Sequence, residues 1–365
     1  MLAPSSFAPR WASPPGDTIR DVLDERELTS EDLADGLGWA EERVSRLLDG
    51  AEGIDLETAR VLAGVLGGNA QFWMTREAQY HEDQSRLAAD AWARSLPTKD
   101  MRSFGWLPKT DDWIARIDAC LQYFDVPDVA SWNGSYGRML SSAKFRTSTK
   151  ASTSEVAVAA WLRQAEIQSR TLSAARWSPG ALRSSLSQLR ALTRIKDPAE
   201  FIPKLTELCG AAGVLVAVVR SPSGCPASGV ARFLDGGTPL IALSGRYLAD
   251  DHFWFTFFHE VGHVLLHGAG EIYVDDFSHQ DIEAINGVEL EADRFAGETL
   301  FPPHLRSAVP TRKLAARDVI RLAHEVGVSP GVVVGQLQFS GRLGFHEMNY
   351  LKRRFRWNGT SLEMA

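Results

Sequence analysis

Two histidines stand four residues apart in Trp254-Phe-Thr-Phe-Phe-His259-Glu260-Val-Gly-His263-Val-Leu-Leu-His267, inside an aromatic and apolar run. On a helix this spacing stacks both imidazoles on one face, near enough to share a single ion. The helix is predicted to start near Asp250 or Asp251, at the N-cap, and to reach about His267, where Gly268 and Gly270 stop it. Neutral imidazole suits Zn2+, and a catalytic zinc takes three protein ligands with a fourth position open. Glu260 falls about 100° further round the helix. From there its carboxylate can act on the attacking water rather than on the metal, taking a proton and passing it to the leaving amine.

A third ligand must come from elsewhere. A metzincin would need Gly at 266 and His at 269, where this chain has Leu266 and Ala269. His267 continues the four-residue stagger, but it sits at the helix end, where an imidazole commonly serves the C-terminus. The next predicted helix, roughly 287–300, carries Val288-Glu289-Leu-Glu291-Ala-Asp293. Val288, Ala292, Phe295 and Thr299 are expected to form its buried stripe, with Glu291, Arg294 and Glu298 on the solvated face. Glu289 and Asp293 flank that stripe. Glu289 is the expected third ligand, Asp293 the expected acceptor for a ligand His N–H, and Glu291 the alternative ligand.

The rest of the chain sets this pair of helices in context. Its 365 residues suggest two or three domains. No segment resembles a secretory signal or a membrane span, and three scattered cysteines (Cys120, Cys209, Cys225) fit a reducing cytoplasm. The expected fold is mainly α with a small mixed β-sheet (α+β). Its parts are a flexible arm over 1–14, a helix-turn-helix bundle over 15–80, a helical middle region over 81–200, a metallopeptidase core over 201–303 and a basic helical module over 304–365. Strands are predicted over Val214–Arg220, Ser228–Leu234 and Pro239–Ser244, and a polar loop over Ser141–Ser154. Charge is polarised along the chain. Between Pro15 and Tyr80 six Arg, no Lys and fifteen acids give a net −9, and between His304 and Trp357 ten basic and three acidic residues give +7.

The pattern His-Glu-x-Gly-His-x-Leu-Leu-His, followed by Glu-x-Glu-Ala-Asp-x-Phe-Ala, resembles the ImmA/IrrE metallopeptidases over roughly 200–340. The resemblance implies a gluzincin-like zinc endopeptidase, which in several relatives cuts a phage or stress repressor. It implies zinc ligands at His259, His263 and Glu289 and a general base at Glu260. Tyr247, Tyr273 and His279 are available to stabilise an oxyanion, and none is singled out.

The N-terminal segment, with Leu33-Ala34, Val44-Ser45-Arg46-Leu47-Leu48 and Phe72-Trp73, is similar to HigA-type antitoxin helix-turn-helix domains. In these the third helix enters the major groove, which points to Arg43, Ser45 and Arg46 as nucleic-acid contacts. Glu41 and Glu42 at that helix start, on a segment of net −9, oppose phosphate contact. A bundle for dimerisation or for docking a protein is the competing reading. The tail offers a second helix pair, Ala315–Val326 and Ser329–Leu337, then a basic, aromatic stretch ending at Trp357. That stretch suits a solvated face, nucleic acid, or the acidic N-terminal module. Arg138, Lys144, Arg146 and Lys150 form a further basic patch. Two functions follow: an endopeptidase cutting a specific protein partner such as a repressor, fused to a regulatory helix-turn-helix, or a DNA-binding regulator or antitoxin whose peptidase-like domain is a sensor.

Overall fold

The computed structural model describes residues 9–137, 144–145, 155–268, 273–275, 287–306, 309–310 and 312–365. In chain order its helices are α1 (Pro15–Glu25), α2 (Ser30–Leu37), α3 (Glu41–Leu48), α4 (Leu56–Leu66), α5 (Ala70–Ser95), α6 (Thr98–Ser103), α7 (Trp113–Phe124), α8 (Val129–Trp132), α9 (Glu155–Ser169), α10 (Pro179–Leu192), α11 (Pro198–Ala211), α12 (Asp250–Leu266), α13 (Gly287–Leu300), α14 (Pro303–Arg306), α15 (Ala316–Val326) and α16 (Pro330–Phe339). Strands β1 (Lys144–Phe145), β2 (Leu215–Val218), β3 (Gly229–Phe233), β4 (Pro239–Leu243), β5 (Tyr273–Asp275), β6 (Phe355–Asn358) and β7 (Ser361–Met364) complete it. The protein is mainly α with small mixed sheets. No helix among the described residues is long and apolar enough to cross a membrane.

Two compact units emerge, Met1–Ser95 with Thr110–Asp118, and Leu96–Lys109 with Ala119–Ala365. In the first, α1–α4 lie within the segment expected to be a helix-turn-helix bundle. Thr29 caps α2, accepting from the Asp32 amide, while the Asp32 carboxylate accepts from the Thr29 amide. Gly38 ends α2 in the left-handed region, and Asp55 caps α4 through the Thr58 amide. Ile19, Leu33, Val44, Leu47, Leu62 and Trp73 meet in one core. The boundary expected near residue 80 falls inside α5, which runs on to Ser95.

In the second unit the five-stranded sheet has the order β1-β5-β3-β4-β2. β2 runs parallel to β4, and β3 lies antiparallel to both β4 and β5. The three apolar runs predicted as strands are its β2, β3 and β4. β1 and β5 have no counterpart among the predicted strands, and β1 falls in the segment expected to be a loop. Helix α12 packs on β3 and β4 and against α13 and α16. Its Trp254, Phe257 and Phe258 are fully buried, and Phe201 of α11 lies 5.1 Å from the Trp254 ring. Burying each such ring contributes about 1.5–3 kcal/mol, which fixes the helix axis that presents the histidines.

The tail departs from expectation. Beyond Phe339 it has a short 3-10 turn at Asn349–Leu351 and ends in the β6–β7 hairpin, with Leu362 opposite Trp357 and the tight turn at Gly359-Thr360. Gly359 takes a φ of 58°, the left-handed conformation such turns require. Phe355 and Leu362 belong to the same core as α12. The second helix pair does not present a free reading helix either, because Val332, Val333, Val334 and Leu337 of α16 are buried. Nor is the basic stretch simply solvated: Lys352 Nζ lies 2.6 Å from Asp251, and the Arg353 guanidinium donates to the carbonyls of Thr193 and Ile195, 2.8 Å each.

Asp250, a candidate N-cap by sequence, is instead the first residue of α12, after Ala249, and its carboxylate points inward. It accepts from Ser329 Oγ at 2.8 Å and from the Arg353 amide at 3.0 Å. Burial and the neighbouring Asp251 charge, working against those two hydrogen bonds, push it up to about 6. Its folded-state value therefore lies above the ordinary 3.8. The contribution to stability is complete below the unfolded value and is lost as pH rises through the folded one, by about 3 kcal/mol in all. Relative to wild type, Asp250→Asn should gain stability between pH 4.5 and 7 in urea denaturation. An unchanged difference across that range would show that Asp250 is not buried as a raised acid.

Candidate metal centre

Helices α12 and α13 approach closely because Gly262, in the middle of the histidine motif, faces Ala292. A Cβ at 262 would lie 3.1 Å from the Ala292 Cα. Across this contact His259 Nε2 and His263 Nε2 stand 2.8 Å apart, with Glu289 Oε2 at 3.3 Å and 3.6 Å from them. All three residues are buried, Glu289 to 7 % exposure. Among the described residues this is the set of His, Cys, Asp and Glu groups whose ligand atoms converge as a metal site would require.

The surrounding hydrogen bonds settle which ring nitrogens face inward. Asp293 Oδ1 lies 2.9 Å from His259 Nδ1, and a carboxylate only accepts, so the Nδ1 proton is fixed there. His259 Nε2 then presents its lone pair. Glu291 Oε2 accepts from His267 Nε2 at 3.1 Å, which leaves His267 Nδ1 as acceptor for His263 Nδ1 at 3.2 Å. His263 Nε2 therefore presents a lone pair to the same point. Glu289 Oε2 is buried without a hydrogen bond of its own. Two imidazole lone pairs and one orphaned carboxylate oxygen aimed at a common centre fit a divalent cation and little else.

Glu289 and Glu291 separate cleanly. Glu289 joins the two histidines, whereas Glu291 has its side chain 62 % exposed and partners His267. The buried stripe of α13 is turned slightly from the expected one: Glu289, Ala292, Ala296 and Leu300 are buried, and Val288, Phe295 and Thr299 only partly. Glu289 is thus within the stripe rather than beside it, a placement that an unmetallated carboxylate would not favour.

Glu260 is 1 % exposed and faces β3. Gly229 makes room for it: a Cβ there would run into Glu260 Oε1 and come within 2.5 Å of Thr256 Cγ2. Sequence reasoning missed Gly229, although a glycine inside a strand pattern is the signal that marks such close approach. It also missed Phe255, whose ring centroid lies 6.3 Å from that of His259. Tyr247 stacks on His252 at 4.3 Å. His279, the side chain of Tyr273, and the patch of Arg138, Lys144, Arg146 and Lys150 lie outside the described side chains.

The residues singled out for nucleic acid lie in the first unit. Ser45 is exposed on α3. Arg43 lies over the Trp39 ring at 3.6 Å and pairs with Glu52 at 3.1 Å, and Arg46 pairs with the same carboxylate at 3.2 Å. One acid thus offsets both cations that would meet a phosphate.

No curated protein matches the chain. Residues 214–338, a span reaching from β2 through the histidine helix and α13 into α16, match the peptidase family model Peptidase_M78, described as the IrrE N-terminal-like domain.

Proposed function

We propose that the second unit is a zinc-dependent endopeptidase of the ImmA/IrrE type, cutting a specific protein partner such as a repressor. The observation that carries this reading is the convergence of His259, His263 and Glu289 on one point, with Glu260 on the same helix. A zinc ion held by these three residues would supply Lewis acidity, polarising the scissile carbonyl and acidifying water. Glu260 takes the proton of the attacking water and delivers it to the leaving nitrogen as the C–N bond breaks. Asp293 and the His267–Glu291 pair hold the two imidazoles in the tautomers that leave Nε2 open. Gly229 and the fixed axis of α12 hold the Glu260 carboxylate in place.

Replacing Glu260 by Gln should leave about one bound zinc per chain and lower kcat for any cleaved substrate by about 100- to 10,000-fold, the usual share of general-base catalysis. Wild-type turnover in that variant would exclude Glu260 as the base.

The first unit we read as a regulatory helix-turn-helix module that docks a protein partner or a second copy rather than holding DNA tightly. The pairing of Arg43 and Arg46 with Glu52 and the acidic start of α3 support this. In a low-salt gel shift with its own promoter, Arg43→Ala and Arg46→Ala should change little. A shift that these substitutions abolish would favour the DNA-binding regulator instead.

A further inference from the structure

Along α12, Asp251, Phe255, His259 and His263 recur every four residues and so share one face. Helices α16 and α13 divide that face between them. α16 takes the first part: a Cβ at its Gly335 would lie 2.9 Å from the Asp251 Cβ, and the Phe339 ring stands 6.3 Å from that of Phe255. α13 takes the second, with Glu289 at the two histidines. Phe339 is the last residue of α16, so the cover from this helix stops at Phe255, one turn before His259.

The rings at that stopping point are not packed as core. Trp254, Phe257 and Phe258 of the same helix are fully buried, whereas Phe255 is half-buried and Phe339 is 63 % exposed. A single exposed apolar side chain is ordinary on a protein surface. Phe339 differs in where it leads: two ring-to-ring steps of 6.3 Å, through Phe255, connect it to the His259 imidazole. Each step is within the range of aromatic contact. The end of α16 is also held firmly. Gln338 is 4 % exposed, its amide nitrogen donates to the Glu347 carbonyl at 2.8 Å and to Asn349 Oδ1 at 3.1 Å, and its Oε1 accepts from Lys352 Nζ at 2.7 Å. Lys352 in turn lies 2.6 Å from Asp251, so the charges one turn behind Phe255 already offset each other. A ring presented on so fixed a backbone loses little freedom when it is covered.

We propose that Phe339 and Phe255 form an apolar shelf at the edge of the metal centre, which takes a large apolar side chain of the polypeptide substrate one or two residues from the bond that is cut. An extended chain advances about 3.3 Å per residue, which brings a side chain at that separation from the metal to the two rings. Continuity with the metal-bearing face of α12 makes the substrate the occupant. The rings offer apolar contact and no hydrogen bond, so a Phe or Leu side chain gains there, while Ser or Glu gives up water for nothing in return. The inference deepens the endopeptidase reading and rests on it for the identity of the ligand.

The test uses the full-length protein loaded with zinc and a series of blocked dipeptide hydroxamates, in which the hydroxamate chelates zinc and the neighbouring side chain is Phe, Leu, Ser or Glu. The Phe and Leu members should bind about tenfold more tightly than the Ser and Glu members. Phe339→Ser should bring that ratio to within about twofold with zinc content unchanged, and Phe339→Leu, which keeps an apolar surface, should retain most of it. Zinc-dependent binding without a preference, or a preference that survives Phe339→Ser, would overturn the shelf and leave the metal centre standing. If no member binds more tightly to zinc-loaded than to zinc-free protein, the peptidase reading falls and takes the shelf's occupant with it.

Discussion

Replacing Glu289 by Ala should strip the protein of its metal, while replacing Glu291 by Ala should change metal affinity by no more than a few fold. The two acids lie two residues apart on α13 and differ in surroundings. Glu289 is 7 % exposed, and its Oε2 stands between two histidine nitrogens without a hydrogen bond. Glu291 reaches outward to His267, and water can take its place. Loss of a hydrogen-bonding partner behind a ligand typically costs about 10- to 100-fold in affinity. Asp293→Ala should fall in that range, and Glu289→Ala should exceed it. Metal content after dialysis, followed by competition with a chelator, ranks the three variants. Equal losses for Glu289→Ala and Glu291→Ala would mean that neither acid is the ligand.

The second large effect concerns Gly262, which touches no metal. The gap there is set by Ala292, whose Cα would lie 3.1 Å from a new Cβ, and backbone cannot swing aside as a side chain can. Gly262→Val must therefore spread α12 from α13 or twist one against the other. Overpacking of this kind costs about 1–3 kcal/mol of stability. Because the same contact sets the distance from the histidines to Glu289, zinc affinity should fall with it. Gly64 supplies the contrast: it also lies within a helix, α4, but a Cβ there meets nothing within 4 Å. Gly64→Ala should be neutral or stabilising by up to about 1 kcal/mol. Urea denaturation and zinc titration of the two variants separate close helix packing from a general intolerance of substitution.

Much of the centre was legible because its information is local. His259 and His263 depend only on the period of one helix, and Glu289 and Asp293 on that of the next. The end of α12 at Gly268 was equally local, written in one or two residues. What escaped depends on pairing across the chain. β1 and β5 are two and three residues long, too short to carry a pattern, and exist because strands already in the sheet accept them. The β6–β7 hairpin had a local cue in Gly359, overridden by the basic composition around it. Arg353 and Lys352 read as surface charge until Thr193, Ile195 and Asp251, distant in sequence, proved to be their partners. The rotation of the α13 stripe towards Glu289 has the same origin: a carboxylate is placed in a buried row only when something else supplies the compensating charge.

The most direct measurement is anomalous scattering at the zinc edge from crystals of the full chain grown with zinc. One strong peak is expected, enclosed by His259 Nε2, His263 Nε2 and Glu289 Oε2, with Asp293 still on His259 Nδ1. No peak at that point, or a peak held by His267 and Glu291 instead, would contradict the assignment.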